Sequence, residues 1–214
     1  APSFAGQLTM VPFGAIGNPP HRLSVEENLT RLSNYDVVLI VDKSSSMQVS
    51  DCVATVDADA DPDQFKTVSR WQWCSKQLHQ LAEKSSKIIP EGIRLVLFSD
   101  DYSVYDNVSP AQVAQAFSEH KPSGMTQATR AIRSQLQQYF KNKAQHGENT
   151  RPMVIAVITD GGLDVPLPLR HAILEASKQM DRPGEISITF LQVGHDKRSR
   201  HLAEKLNCKS TGTE

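Results

Sequence analysis

The chain has 214 residues, 39% hydrophobic and 22% charged, which is enough for one well-buried α/β domain with extensions but cramped for two domains. Its formal net charge of −1 provides no basic excess to neutralise phosphates, which argues against a nucleic acid or a membrane surface as partner. No apolar run approaches the ~20 residues that a membrane-spanning helix needs, so we expect no membrane span in this chain.

Three segments are predicted along the chain. Residues 1–23 are rich in glycine and proline and follow neither the helical nor the strand period, which predicts an extended N-terminal arm. Residues 24–207 form the predicted domain, and residues 208–214 form a polar tail. The sequence starts with alanine rather than methionine, as either a mature secreted product or a trimmed chain would, and the sequence does not separate the two. An extracytoplasmic location is slightly favoured, and a cytoplasmic location stays open.

The most buried stretch of the domain is predicted near its start. A Ser-x-x-Glu capping box, Ser24–Glu27, begins a short helix that ends near Leu32. The run Val37–Val41 is unbroken, apolar and mostly β-branched, which is typical of a parallel strand in the middle of a sheet. Residues 42–46, Asp-Lys-Ser-Ser-Ser, follow it where open α/β sheets bind ligands. Without a glycine-rich phosphate loop or a Walker lysine, these oxygen atoms favour a hard cation over a nucleotide.

An acidic stretch follows, flanked by two cysteines. The four aspartates from Asp57 to Asp63 alternate as in the first half of an EF-hand loop, but the glycine and the closing glutamate of that loop are missing. We therefore expect a solvated acidic loop, with a second cation site as the alternative. For Cys52 and Cys74, a disulfide bridge contributing roughly 3 kcal/mol and a pair of free thiols both remain open.

Helices and strands alternate through the rest of the domain, which indicates a three-layer, doubly wound α/β sheet with helices on both faces. Further strands are predicted to begin at Ile93, Ser103, Met153 and Ile186. The strand at Ser103 follows its neighbour too closely for a crossover, so it must be a short antiparallel edge strand in a mostly parallel sheet. The predicted helices are Phe65–Lys87, Pro110–Ser118, Gln127–Lys143, Leu169–Met180 and Lys197–Leu206.

Two later loops also carry side-chain oxygen atoms. Ser123–Thr126 precedes a predicted helix, and Asp160 follows a predicted strand. Together with residues 42–46, these loops resemble, in order, the three motifs of the von Willebrand factor type A (vWA) domain. The resemblance covers roughly residues 35–206 and departs from the family pattern at Ser45 and Met125 without loss of a ligand oxygen. It implies a Rossmann-like vWA fold, in which the edge strand is followed by the strands of Ile93, Tyr35, Met153 and Ile186.

The resemblance further implies a metal-ion-dependent adhesion site (MIDAS). In this family the serines bind the ion directly, the threonine binds directly or through water, and the aspartates bind largely through water. Ser44 and Ser46 alternate, so an extended loop would present both hydroxyls to one point. The implied ion is Mg²⁺, with Mn²⁺ or Ca²⁺ as alternatives. The metal-site residues are Asp42, Ser44, Ser46, Thr126 and Asp160.

A cation held mainly by neutral hydroxyls keeps a strong positive field at its open coordination position, which favours an anionic ligand. The resemblance thus implies a protein–protein interaction module, for cell adhesion or as a scaffold, whose protein partner offers an Asp or Glu carboxylate. We expect no enzyme activity, because the common nucleophile and zinc-protease motifs are missing. The alternative is a Mg²⁺-dependent phosphoryl-transfer enzyme, a phosphatase or receiver-like domain, with Asp42 as acceptor and Asp160 on the metal.

Overall fold

The computed structural model describes residues 24–54, 67–89, 91–161 and 166–194. Several predictions concern parts of the chain outside these ranges. They are the N-terminal arm, the four alternating aspartates, the helix expected over 197–206 and the C-terminal tail. The predicted domain boundaries therefore stay predictions.

A five-stranded sheet forms the centre of the molecule, in the order β5-β4-β1-β6-β7. β1 lies in the middle and pairs in parallel with β4 and β6, β7 is parallel to β6, and β5 is an antiparallel edge strand beside β4. Both the fold class and the strand order predicted from the sequence are confirmed. The described strands are β1 (Asp36–Asp42), β2 (Cys52–Val53), β3 (Thr67–Val68), β4 (Ile93–Phe98), β5 (Tyr102–Tyr105), β6 (Met153–Thr159) and β7 (Ile186–Gln192).

Three of the described helices begin at a serine capping box. The predicted capping box at Ser24 is present, because the Glu27 N–H donates to Ser24 Oγ at 3.1 Å and the Ser24 N–H donates to Glu27 Oε2 at 2.7 Å. The helices are α1 (Val25–Leu32), α2 (Arg70–Ser85), α3 (Pro110–Glu119), α4 (Ala128–His146) and α5 (Pro166–Lys178), with short 3₁₀ turns at Ser45–Gln48 and Gly147–Asn149. None of these helices is long and apolar enough to cross a membrane.

One helix starts later than predicted. Helix α2 was expected from Phe65, but it begins at Arg70 because Ser69 caps it in a box with Gln72. The residues just before the cap, β3, pair with β2 in a short antiparallel two-stranded sheet. The periodicity of the sequence did not predict this pairing, because strands of two residues are too short to show one.

The core lies on both faces of the sheet, as a doubly wound fold requires. Val37, Leu39 and Val41 of β1 pack into one buried cluster with side chains of α1, α2 and α3. Val38 and Ile40 point into the other cluster, with side chains of α4 and α5. Because β1 is buried on both faces, the prediction of a central strand is confirmed. The parallel strands all end at one edge of the sheet, which we call the carboxyl edge, and the candidate site lies there.

Candidate functional site

Asp42 is the last residue of β1 and is fully buried. Its Oδ1 accepts a hydrogen bond from the Ser44 N–H at 2.7 Å, and its Oδ2 accepts one from the Thr159 hydroxyl at 2.8 Å. Burial raises the pKa of Asp42 to about 6, although the hydrogen bonds from Ser44 and Thr159 oppose the rise, and Asp160 adds to it by charge repulsion. The site therefore brings two carboxylates close enough to repel each other in a buried environment.

The two serines converge, but not in the way the sequence suggested. An extended loop was expected, whereas Ser44 alone is extended and residues 45–48 form a 3₁₀ turn that begins right after it. The hydroxyl oxygens of Ser44 and Ser46 nevertheless lie 3.1 Å apart. The turn thus places both oxygens beside Asp42 at the carboxyl edge.

The loop that contains Thr126 is fixed to the β1 loop through its backbone. The Ser123 N–H donates to the Lys43 carbonyl at 2.7 Å, and the Ser45 N–H donates to the Gly124 carbonyl at 3.1 Å. Gly124 has a φ of +80°, and a Cβ at this position would lie 2.3 Å from Asp100 Oδ2. Only glycine fits there. Thr126, half-buried, therefore lies on a loop that is held beside the two serines.

Lys43 turns away from the two serines and ties the β1 loop to the β4–β5 turn. Its ammonium donates to Ser99 Oγ and to Asp101 Oδ1, both at 2.9 Å. Asp100, the neighbouring residue, accepts from the Met125 N–H at 3.1 Å. The β4–β5 turn therefore holds both the β1 loop and the Thr126 loop in place. Sequence reasoning treated Asp100 and Asp101 only as a turn, although they follow the strand beside β1.

Asp160 directly follows β6 and is buried in an ion pair that the sequence did not predict. Its Oδ2 accepts from Arg70 Nη1 at 2.8 Å. The other side of the same guanidinium binds Asp51 in a bidentate pair, with Nε–Oδ1 at 2.9 Å and Nη2–Oδ2 at 2.6 Å. The sequence contains only a weak sign of this ion pair. Arg70 stands four residues before Cys74, so it lies on the buried face of α2 although it is charged.

The donor set suits a hard cation. It offers two carboxylates and three hydroxyls and no nitrogen or sulfur, which are the preferences of Mg²⁺, Mn²⁺ and Ca²⁺. A cation near Asp42 would also favour its ionised form, which burial opposes. Across the described ranges, no cluster of three or more His, Cys, Asp or Glu side chains could hold a metal, so a cation at this site would depend on the serine and threonine hydroxyls as well.

Cys52 of β2 and Cys74 of α2 are free thiols. Cys52 and Cys74 are both buried, and no disulfide joins them. Burial raises the pKa of each thiol, which keeps both in the protonated, unreactive form. Of the two alternatives that the sequence left open, the structure has the unbridged one.

Comparison with known proteins bears on the fold. No protein-family model matches the sequence, and no curated protein matches it. Among solved structures, the manganese-loaded TRAP protein of Plasmodium vivax superposes with a TM-score of 0.51 at 14% identity, over 85% of this chain and 66% of that chain. The fold is vWA-like. At this identity the likeness concerns the fold alone.

Two further solved structures are similar to this chain over a smaller part of it. The conserved hypothetical protein BatB of Bacteroides thetaiotaomicron is 16% identical, with a TM-score of 0.45 over 74% of this chain and 66% of that one. Proximal thread matrix protein 1 of the mussel byssus is 14% identical, with a TM-score of 0.47 over 73% of this chain and 37% of that one. The chain thus spans no more than about two thirds of these three solved chains.

Proposed function

We propose that this domain is a protein-interaction module that binds an acidic residue of a partner protein through one divalent cation, Mg²⁺ or a similar ion. The observation that carries the proposal is the meeting of three oxygen-bearing loops at the carboxyl edge. Asp42 is buried beside a pair of hydroxyls 3.1 Å apart, and Asp160 directly follows β6, the strand that pairs with β1.

The chain supplies the charge balance that such a function requires. The hydroxyls of Ser44, Ser46 and Thr126 would hold the cation directly, and Asp42 and Asp160 would balance its two charges largely through water, from one shell further out, which leaves a strong positive field at the open coordination position. The remaining positive field attracts an anionic ligand. Two unit charges about 4 Å apart attract by roughly 4 kcal/mol at an effective dielectric constant of 20, so one carboxylate of the partner can dominate the binding energy.

Exposed apolar side chains surround this edge of the sheet. Met125 is 69% exposed on the Thr126 loop, and Val49 is 46% exposed just after the 3₁₀ turn. Leu167, 71% exposed, lies in the first turn of α5, which begins at the same edge because it connects two parallel strands. These side chains suit a protein partner that presents an acidic residue with apolar neighbours, since apolar contact around a polar anchor is typical of protein interfaces.

The geometry favours this function over phosphoryl transfer, and we propose that the domain is not an enzyme. Both oxygens of Asp42 accept hydrogen bonds from protein groups, and the residue is fully buried, so attack on a phosphorus atom would require rearrangement. Lys43, which would otherwise neutralise a phosphoryl group, is engaged with Ser99 and Asp101. Hydrolysis of para-nitrophenyl phosphate that depends on Asp42 would reverse this preference.

Calorimetric titration with Mn²⁺ tests the proposal. The wild-type protein should bind one ion, and Asp42→Ala should bind none while keeping its fold. Asp36→Ala is the matched control, because Asp36 lies at the other end of the same strand and should leave Mn²⁺ binding unchanged. Acetate titrated into the Mn²⁺-loaded protein then probes the carboxylate site. Equal Mn²⁺ binding by both variants would contradict the proposal.

A further inference from the structure

The guanidinium of Arg70 is enclosed between elements that meet at the candidate cation site. It is 4% exposed and pairs with Asp160 on one side and with Asp51 on the other. The third contact is Gly194, just after β7, where an added Cβ would lie 2.2 Å from Arg70 Nε. The side chain is therefore held from three directions, and one of its partners is a proposed metal-site residue.

This arrangement places a permanent positive charge next to the proposed site. A guanidinium stays protonated at any ordinary pH. Its contact with Asp160 at 2.8 Å offsets part of the negative charge that would attract a divalent cation, and it also repels the cation directly. The consequence has two opposite parts: the cation binds less tightly, and once bound it keeps more of its positive field for an anionic ligand.

We infer that Arg70 is a positioning residue that sets this balance, holding Asp160 in an ion pair at the expense of cation affinity and in favour of affinity for an acidic partner. The inference rests on the proposed function. It adds a residue outside the three motif loops and a direction of effect for each binding step.

Asp51 explains why the arginine remains beside Asp160 and does not replace the cation. The bidentate pair with Asp51 uses Nε and Nη2, so only Nη1 faces Asp160. A fork fixed in this way cannot turn both of its edges toward the cation site. Asp51 therefore limits how much of the charge of Asp160 the arginine neutralises.

The test compares two binding steps in Arg70→Gln. Free Mn²⁺ measured by electron paramagnetic resonance gives the cation affinity, and water-proton relaxation during acetate addition gives the carboxylate affinity of the Mn²⁺-loaded protein. We expect Mn²⁺ to bind about tenfold more tightly, a change of about 1.4 kcal/mol, and acetate to bind more weakly than in the wild type. A variant that merely loosened the site would weaken both steps.

Two control variants separate the effect of the positive charge beside Asp160 from two other effects, the shape of the Arg70 side chain and the net charge of the protein. Arg70→Lys keeps a positive charge beside Asp160 and should restore both affinities toward wild type. Arg94→Gln removes an equal charge from a residue paired with Asp106 at the other end of the sheet, so both affinities should stay at the wild-type value. If Arg70→Lys and Arg70→Gln weakened Mn²⁺ binding alike, Arg70 would be purely structural and the inference would be wrong.

The outcomes distinguish this inference from the proposed function. Mn²⁺ binding by the wild type with no gain in Arg70→Gln overturns the inference alone. Binding by Arg70→Gln but not by the wild type supports the competition for Asp160 and overturns the proposed function. Absence of binding in both overturns both. If Arg70→Gln does not fold, Arg70→Gln with Asp51→Asn removes the buried pair together, and unchanged Mn²⁺ affinity in that double variant overturns the inference.

Discussion

Thr159, the last residue of β6, donates its hydroxyl to Asp42 Oδ2 at 2.8 Å across the β1–β6 pairing. The same oxygen of Thr159 accepts from the Gly161 N–H at 3.3 Å. One buried hydroxyl thus orients the aspartate of the first motif and the backbone of the third. This residue lies outside the five predicted positions, although it is adjacent to one of them.

Replacing Thr159 by valine removes this hydroxyl at nearly constant volume. The buried Asp42 then loses a donor, so Thr159→Val should lower the free energy of unfolding by about 1–3 kcal/mol and weaken Mn²⁺ binding. Urea unfolding and Mn²⁺ titration measure the two effects. Thr159→Ser keeps the hydroxyl and should retain most of the Mn²⁺ affinity. A valine variant with wild-type affinity would show that the hydrogen bond does not orient Asp42.

The serines of the first motif should contribute less than its aspartate. Ser44→Ala and Ser46→Ala each remove one neutral oxygen that water can replace, so each should weaken Mn²⁺ binding roughly tenfold, about 1.4 kcal/mol. Calorimetric titration with Mn²⁺ measures the change. Ser45→Ala is the control. The Ser45 hydroxyl is exposed and donates to the Gly124 carbonyl, so it is not one of the proposed ligands. A larger loss for Ser45→Ala than for the other two would contradict the assignment of the ligands.

Alanine variants of Gly124 and Gly184 separate the effect of backbone strain from the effect of a close contact made by the added Cβ. Their φ angles are +80° and +78°, but a Cβ would meet Asp100 Oδ2 at 2.3 Å only at Gly124, and nothing lies within 4 Å at Gly184. Alanine at either position should cost about 1–3 kcal/mol of stability from backbone strain. Gly124→Ala should in addition displace the Thr126 loop and weaken Mn²⁺ binding, as titration of both variants would show. Equal Mn²⁺ affinity in the two variants would refute that displacement.

A buried carboxylate at the opposite edge of the sheet should make stability depend on pH. Glu185 Oε1 lies 2.6 Å from Lys143 Nζ, and Glu185 Oε2 accepts from the Asp181 N–H at 2.8 Å. Burial acts to raise the pKa of Glu185, but Lys143 and Asp181 together hold it below its ordinary value of 4.5. The ionised form therefore stabilises the fold above that value, and the stabilisation is lost as the pH falls through the lower, folded-state pKa.

Glu185→Gln should accordingly lower the free energy of unfolding by about 1–3 kcal/mol at neutral pH, and the difference from wild type should shrink as the pH falls below 4.5. Urea unfolding across this range measures it. Glu175→Gln is the control, because Glu175 is exposed and pairs with Lys178 on the helix surface, where an ion pair adds little. A difference between Glu185→Gln and wild type that did not change with pH would contradict the ionic origin.

The sequence predicted the strands because buried parallel strands appear as long apolar runs, and it predicted the antiparallel edge strand because Ser103 left no room for a crossover. The order of the strands came from the resemblance to the vWA domain. The sequence also located the loops of Asp42 and Asp160, since the carboxyl ends of adjacent parallel strands meet at one edge of the sheet. The Thr126 loop connects α3 to α4, and its place beside them was implied by the resemblance to the vWA domain. The sequence did not predict the pairs of Arg70, which join residues 19 and 90 positions apart and have no periodic signal. Nor did it predict the 3₁₀ turn that brings the two serine hydroxyls together.

The backbone bonds between the β1 loop and the Thr126 loop have an evolutionary consequence. The bonds from the Ser123 N–H and to the Gly124 carbonyl involve main-chain atoms, which every amino acid except proline provides. Met125, by contrast, presents its side chain to solvent next to the proposed ligand threonine. The residue at position 125 can therefore change in evolution, or be randomised in a display library, without moving the oxygen atoms of the proposed cation site. Under the proposed function, selectivity for partners can therefore change at this position while the cation site stays the same.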